Sequence, residues 1–124
     1  IGSHPHVVQP MEVRQDPHRP SRHLIVYSLG NFISNMSKEN TDGGAMVKLE
    51  LKKLWGITRM ENCSYSLIWT SRPILGKKTS YEVYPASFIN QSVQNEEFTP
   101  FLRFLNNTRE LYQKYNIGIK EYFF

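Results

Sequence analysis

The 124 residues predict an α+β chain, an antiparallel strand meander followed by a C-terminal helix. Three observations carry that reading. Between Ala45 and Tyr84, apolar and polar residues alternate through successive short runs, the period of half-buried strands. Beyond Thr99-Pro100 the apolar residues change to helical spacing. Upstream, the apolar runs are short and bounded by proline and glycine, which suits strands better than helices. The length is one domain's worth at most.

In chain order, Gly2-Ser3-His4-Pro5-His6 comes first. A residue before proline is pushed out of the helical region and proline fixes its own φ, so the expectation is extended chain at His4. In extended chain, side chains two positions apart share a face with Cα atoms about 7 Å apart, so His4 and His6 could converge on one metal ion or on two neighbouring ions. Gly2 would let the backbone turn tightly just before them. Neutral imidazole is the commonest metal ligand near neutral pH. A metal needs about three or four protein ligands, however, and this stretch supplies two; the competing reading is a solvated surface loop.

Met11 to Arg14 and Leu24 to Leu29 form a plausible hairpin joined by the polar, proline-punctuated stretch Gln15 to His23. His18 and His23 read as part of a solvated basic turn with Arg14, Arg19 and Arg22. Leu24 to Leu29 lacks clean alternation, which predicts a strand buried on both faces. It ends at Gly30-Asn31-Phe32, where the Asn31 amide offers a donor and an acceptor. Such a residue could ligate a metal or bind a substrate; a turn role is favoured.

Ser34 to Gly44 reads as loop, with Thr41-Asp42-Gly43-Gly44 its clearest turn. Ala45, Val47, Leu49 and Leu51 then share one strand face, Leu54-Trp55-Gly56-Ile57 turns the chain, and Cys63, Tyr65, Leu67 and Trp69 share the facing strand's apolar side. Cys63 is therefore expected to be a small core residue rather than a nucleophile. Pro73 to Thr79 reads as a connection, Tyr81 to Tyr84 as a strand, and Asn95-Glu96-Glu97 as a polar link to a helix capped by Thr99 with Pro100 at its first position. Phe101, Leu102, Phe104, Leu105, Leu111, Tyr112 and Tyr115 form its apolar side. Asn116 or Gly118 ends it, and the apolar tail Ile119 to Phe124 is expected to dock or pair.

The net charge of +4 is spread without a run, which argues against a nucleic-acid partner. The lone Cys63 excludes an internal disulfide framework. No apolar run is long enough to span a membrane. Asn-x-Ser/Thr triplets begin at Asn35, Asn62, Asn90 and Asn106, of consequence only in a glycosylating secretory pathway.

Gly2-x-His4-Pro5-His6-Val7-x-Gln9, paired with Tyr27-Ser28-Leu29-Gly30-Asn31-Phe32, resembles the bacterial capsule biosynthesis family known as CapA or PgsA, the poly-γ-glutamate synthesis proteins. The pair of motifs is fairly specific and covers the first third of the chain. The resemblance implies a calcineurin-like metallophosphoesterase fold, a four-layer α/β/β/α sandwich around a two-metal site, of which residues 1–124 would be the C-terminal portion with the upstream half missing. It implies divalent metal ions held in part by His4 and His6, with the remaining ligands upstream and Asn31 near the cleft without an assigned role. Family members often carry a further histidine where this chain has Ser3, and their turn before the second motif is commonly shorter.

By the same resemblance the parent protein would be a metal-dependent hydrolase of the bacterial cell envelope or exterior, acting on an anionic polymer or a phosphoester-like substrate, and this chain alone would be inactive. The alternative is a non-catalytic, cell-surface polymer-binding or assembly subunit that uses the Arg14 to His23 loop. A third reading is a β-rich remnant without metal. Strand edges exposed by a half-sandwich would favour a homo-oligomer.

Overall fold

Two hairpins, one helix and a returning tail make up the fold, seen in a computed structural model that describes residues 1–36, 38–73, 80–90 and 95–123. Strands β1 (Val8–Gln15) and β2 (Arg22–Leu29) form an antiparallel pair in which Val8 faces Leu29 and Gln15 faces Arg22. Their loop is closed by Asp16, whose Oδ1 accepts the N–H groups of His18 (2.8 Å) and Arg19 (3.1 Å). The His18 bond first and the contact with the His23 ring second, with Arg19 adding less, hold the Asp16 carboxyl below the usual carboxylate range. The hairpin is longer than its apolar residues alone suggested, because polar ends such as Gln9, Gln15 and Arg22 still pair through backbone. His18 is exposed in the loop, whereas His23 is exposed within β2, opposite Arg14, with its Nε2 3.3 Å from Asp16 Oδ2.

The second sheet runs β3 (Gly43–Leu54), β4 (Ile57–Ser71) and β5 (Glu82–Pro85), all antiparallel, in the expected meander. Trp55 (φ 52°) and Gly56 (φ 78°) turn β3 into β4. Positive φ at both central residues is the type I′ hairpin turn, whose twist matches the strands it joins. A short 3-10 turn, Ala86–Asn90, follows β5. Helix α1 (Asn95–Tyr115) packs across both sheets, and β6 (Lys120–Glu121) pairs in parallel with β4, so the tail does pair. The mixture of antiparallel strands and one helix is the α+β class.

Several expectations change. Gly43 and Gly44 begin β3 instead of forming a turn: Gly44 bridges Gly30, and a Cβ there would meet Asn31 O at 2.5 Å and Leu29 O at 2.7 Å, so the glycine serves close backbone approach. β2 is not covered on both faces. Val26 and Ser28 are buried, whereas Tyr27 points outward at 49% exposure, because the β1–β2 sheet has a neighbour on one side only. The helix starts before Thr99, which lies inside it. Its buried stripe runs from Glu97 through Phe101, Phe104, Leu105 and Thr108 to Tyr112, so packing extends the helix a turn ahead of Pro100. There the missing proline N–H costs one bond near the helix end. Tyr115, placed on the apolar side by spacing, is exposed. Residues 74–79 of the expected connection lie outside the described residues.

The core is one cluster: Met11 and Val26 from the first hairpin, Ala45, Tyr65, Leu67 and Trp69 from the second, and Phe101, Phe104, Leu105 and Tyr112 from α1. Tyr65 and Tyr112 meet edge to face at 4.9 Å, and Trp69 lies against Phe101 and Tyr84. Cys63 packs at the edge of this cluster, and burial pushes its thiol up, as a core-lining cysteine should behave. The chain after α1 joins the two sheets. Met11 N–H donates to Asn116 Oδ1 (2.8 Å), Ile117 exchanges backbone bonds with Met11 and Val13, and Tyr122 N–H reaches Tyr65 O (2.7 Å).

Candidate functional site

The first seven residues lie across the end of the β1–β2 hairpin. Gly2 N–H donates to Val26 O (2.8 Å) and Leu29 N–H donates to Gly2 O (2.9 Å), which pins the segment to β2. A Cβ on Gly2 would sit 2.4 Å from Tyr27 O, so the residue is needed for this contact, not for the tight turn anticipated from its flexibility. The chain then does turn, one step later. His6 N–H bonds Ser3 O (3.0 Å), placing His4 and Pro5 in the middle of a turn, and His6 adopts φ 59°. The two imidazoles therefore do not hang from an extended strand. A left-handed histidine is uncommon but tolerated, and such a conformation persists when the surroundings over-determine it.

What determines it is Asn31. His6 Nδ1 and Asn31 Oδ1 are 2.9 Å apart across the gap between the opening segment and the end of β2. The Asn31 amide is oriented independently: its Nδ2 donates to Thr41 O (2.8 Å), with Met36 Sδ at 3.7 Å on the same side. Its own N–H donates to Gly43 O (3.0 Å). With nitrogen committed to Thr41, oxygen faces His6, and the His6 ring must donate from Nδ1. That tautomer leaves Nε2 with its lone pair. Thr41 is itself held by a closed loop, its N–H and Oγ1 both donating to Lys38 O (3.1 and 2.5 Å).

His4 is exposed at the same turn, and Ser3 beside it is exposed too. Among the described residues there is no group of three or more His, Cys, Asp or Glu side chains able to hold a metal ion. The turn thus presents two exposed imidazoles, of which His6 is anchored to Asn31. Tyr27, in the second motif, faces away from this arm: its hydroxyl donates to Glu12 Oε1 (2.5 Å), which Arg14 also contacts (2.6 Å). The Tyr27 bond first and the Arg14 bond second hold Glu12 below the usual range, while Tyr27 is raised by the same carboxylate.

The sequence singles out His4 and His6 by their spacing and Asn31 by its place after β2, but Thr41 as the group that orients Asn31 left no signal, since a backbone carbonyl can belong to any residue type.

By fold and site, this is an α+β chain with a histidine turn clamped onto the end of a β-hairpin. That segment places it among known proteins. Residues 1–36 match the family described as bacterial capsule synthesis protein PGA_cap. Over 53 residues, 43% of this chain, it is 40% identical to the PGA biosynthesis protein CapA of Bacillus subtilis (strain 168). The chain spans 12% of that relative's length. No solved structure matches. The family match contains Gly2, His4, His6, Asn31 and both motifs, whereas Thr41, which orients Asn31, lies beyond it.

Proposed function

We propose that the chain belongs to a capsule biosynthesis protein in which His4 and His6 are two ligands of a divalent-metal site completed by residues outside this sequence. The observation that carries the reading is the Asn31 clamp. A metal-ligating histidine characteristically donates its other ring N–H to an oxygen acceptor, which fixes the tautomer and ring orientation. The His6 Nδ1 to Asn31 Oδ1 bond has that form. A bound divalent ion, or a pair of them, would activate water and stabilise charge on a phosphoryl or acyl oxygen, the chemistry of a metal-dependent hydrolase. In that scheme the protein's part here is to hold Nε2 of His6 forward, with Asn31 as its positioning residue and Thr41 fixing Asn31. The calcineurin-like sandwich, with this chain as its C-terminal portion, belongs to the same proposal.

The test is a titration with Mn²⁺ followed by the histidine ring resonances. Paramagnetic broadening should strike His4 and His6 first and leave His18 and His23, which serve as internal references, sharp. Asn31→Leu should weaken the effect at His6 by about 10–100-fold, the cost typical of losing such an outer partner. Equal broadening of all four rings, or none, overturns the proposal.

One observation favours a second reading, a polymer-binding surface without turnover. A groove of about 630 Å³ lies between the first hairpin loop and the outer part of β3–β4, walled by Arg19, Arg22 and His23. Arg22 donates there to the carbonyls of Met60 and Glu61. Loss of polyanion binding in Arg19→Glu/Arg22→Glu, with the Mn²⁺ response intact, would select it.

A further inference from the structure

The β3–β4 hairpin outruns its sheet. Beyond Glu50 and Asn62 the register shifts by a bulge, and the strand residues from Leu51 to Met60 pair with each other, Arg22 of the first hairpin reaching the Met60 carbonyl at the base of the arm. This arm is unusually apolar for a free end: Leu51 is 64% exposed, Leu54 57%, Ile57 56% and Trp55 90%. Isolated surface apolar residues need no explanation, but a contiguous set does.

Pairing across the arm shows how they are arranged. Leu51 opposes Met60 and Leu54 opposes Ile57. Opposed residues share a face and faces alternate, so the first pair lies on one side of the ribbon and the second on the other, with Trp55 at the end. The Leu51–Met60 side lines the groove against the first hairpin, whereas Leu54 and Trp55 lie outside that lining. Charge narrows the occupant of the tip. The sequence Leu51-Lys52-Lys53-Leu54-Trp55-Gly56-Ile57-Thr58-Arg59-Met60 contains Lys52, Lys53 and Arg59 and no carboxylate. Lys52 opposes Arg59 across the ribbon. Two copies meeting tip to tip would press like charges together, because a two-fold contact uses the same patch twice. An anionic bilayer satisfies both features, taking apolar groups on every side of the tip and cations at the headgroups, with tryptophan at the boundary it favours.

We propose that the β3–β4 tip is a membrane-docking loop that inserts Leu54, Trp55 and Ile57 into an anionic bilayer surface while Lys52, Lys53 and Arg59 contact its headgroups. The inference does not depend on the histidine site, which lies on the other hairpin.

The experiment is co-sedimentation of the chain with vesicles of phosphatidylcholine, alone or mixed with phosphatidylglycerol, alongside tryptophan emission. Trp69 is buried and supplies a constant background. The expected result is binding to the mixed vesicles, a blue shift that Trp55→Phe removes, and at least about tenfold weaker binding for both Lys52→Glu/Lys53→Glu and Leu54→Ser/Trp55→Ser. These positions are exposed, so an unchanged amide spectrum verifies that each variant is folded. No binding to mixed vesicles overturns the proposal, as does equal binding by wild type and variants. Binding that survives Leu54→Ser/Trp55→Ser but not charge reversal overturns insertion in favour of simple electrostatic adsorption. Self-association without lipid that the tip variants abolish identifies a second copy as the occupant, and a soluble polyanion that binds through the tip as tightly as the vesicles identifies a polymer.

Discussion

The inner and outer halves of the β3–β4 hairpin are made by the same two strands from the same alternating pattern, yet they end in opposite environments. At the inner end Ala45, Tyr65, Leu67 and Trp69 are buried beneath α1 and the first hairpin. At the outer end Leu49, Leu51, Leu54 and Ile57 continue the apolar content into solvent. Alternation specifies a pleated strand and the side on which its apolar residues fall; whether anything covers that side depends on elements far away in sequence. In this chain the cover is α1 together with the first hairpin, and they bury only the inner half.

The largest test of that contrast is Leu67→Ala. Leu67 is fully buried, so its truncation should cost about 2–5 kcal/mol in urea unfolding. A loss below about 1 kcal/mol would mean that the inner half is not the core. Gly44→Ala comes next. It stands where β3 meets the end of the first hairpin, and a Cβ there has no room against the carbonyls of Leu29 and Asn31. A loss of about 1–3 kcal/mol is expected, with shifted amide resonances at Asn31, because forced overpacking displaces backbone.

A smaller effect should appear in alkali. Burial pushes the Tyr65 phenol up to about 12, and Tyr112 is raised further by its own burial. The folded state thus favours the neutral phenol more than the unfolded state does, whose value is about 10. This contribution is complete below about pH 10 and is lost as pH rises through the folded value. Urea midpoints should therefore fall between about pH 10 and 12, together with delayed phenolate absorbance, and Tyr65→Phe should flatten the slope. The smallest effect belongs to the outer half. Leu54→Ala, more than half exposed, should change stability by no more than about 0.5 kcal/mol. A larger loss would show that the arm is covered in solution.

The parts that were legible in the sequence are those set by local rules. Trp55-Gly56 announced its turn, the meander followed from alternation, and Phe101, Leu105 and Tyr112 traced the buried side of the helix. The helix start was hidden because its stripe begins with Glu97, a charged residue that spacing rules treat as surface, although it is 5% exposed. Gly43 and Gly44 resembled a turn because glycine permits turns and close approach equally. At the site, His4 and His6 were visible as a motif. The left-handed turn at His6 was not, since it depends on Asn31, and Asn31 depends on the position of the Thr41 carbonyl.

The segment that joins the two sheets after α1 also bears on the order in which the chain folds. The bond from Met11 N–H to Asn116 Oδ1 spans 105 positions, and Ser66 Oγ donates to Tyr122 O across 56. The hairpins can close through near neighbours, but these links must wait until distant parts of the chain have met, against a loop-closure entropy that local pairing avoids. The first hairpin, with the histidine turn on it, is therefore expected to be secured to the second sheet along its β1 edge late in folding.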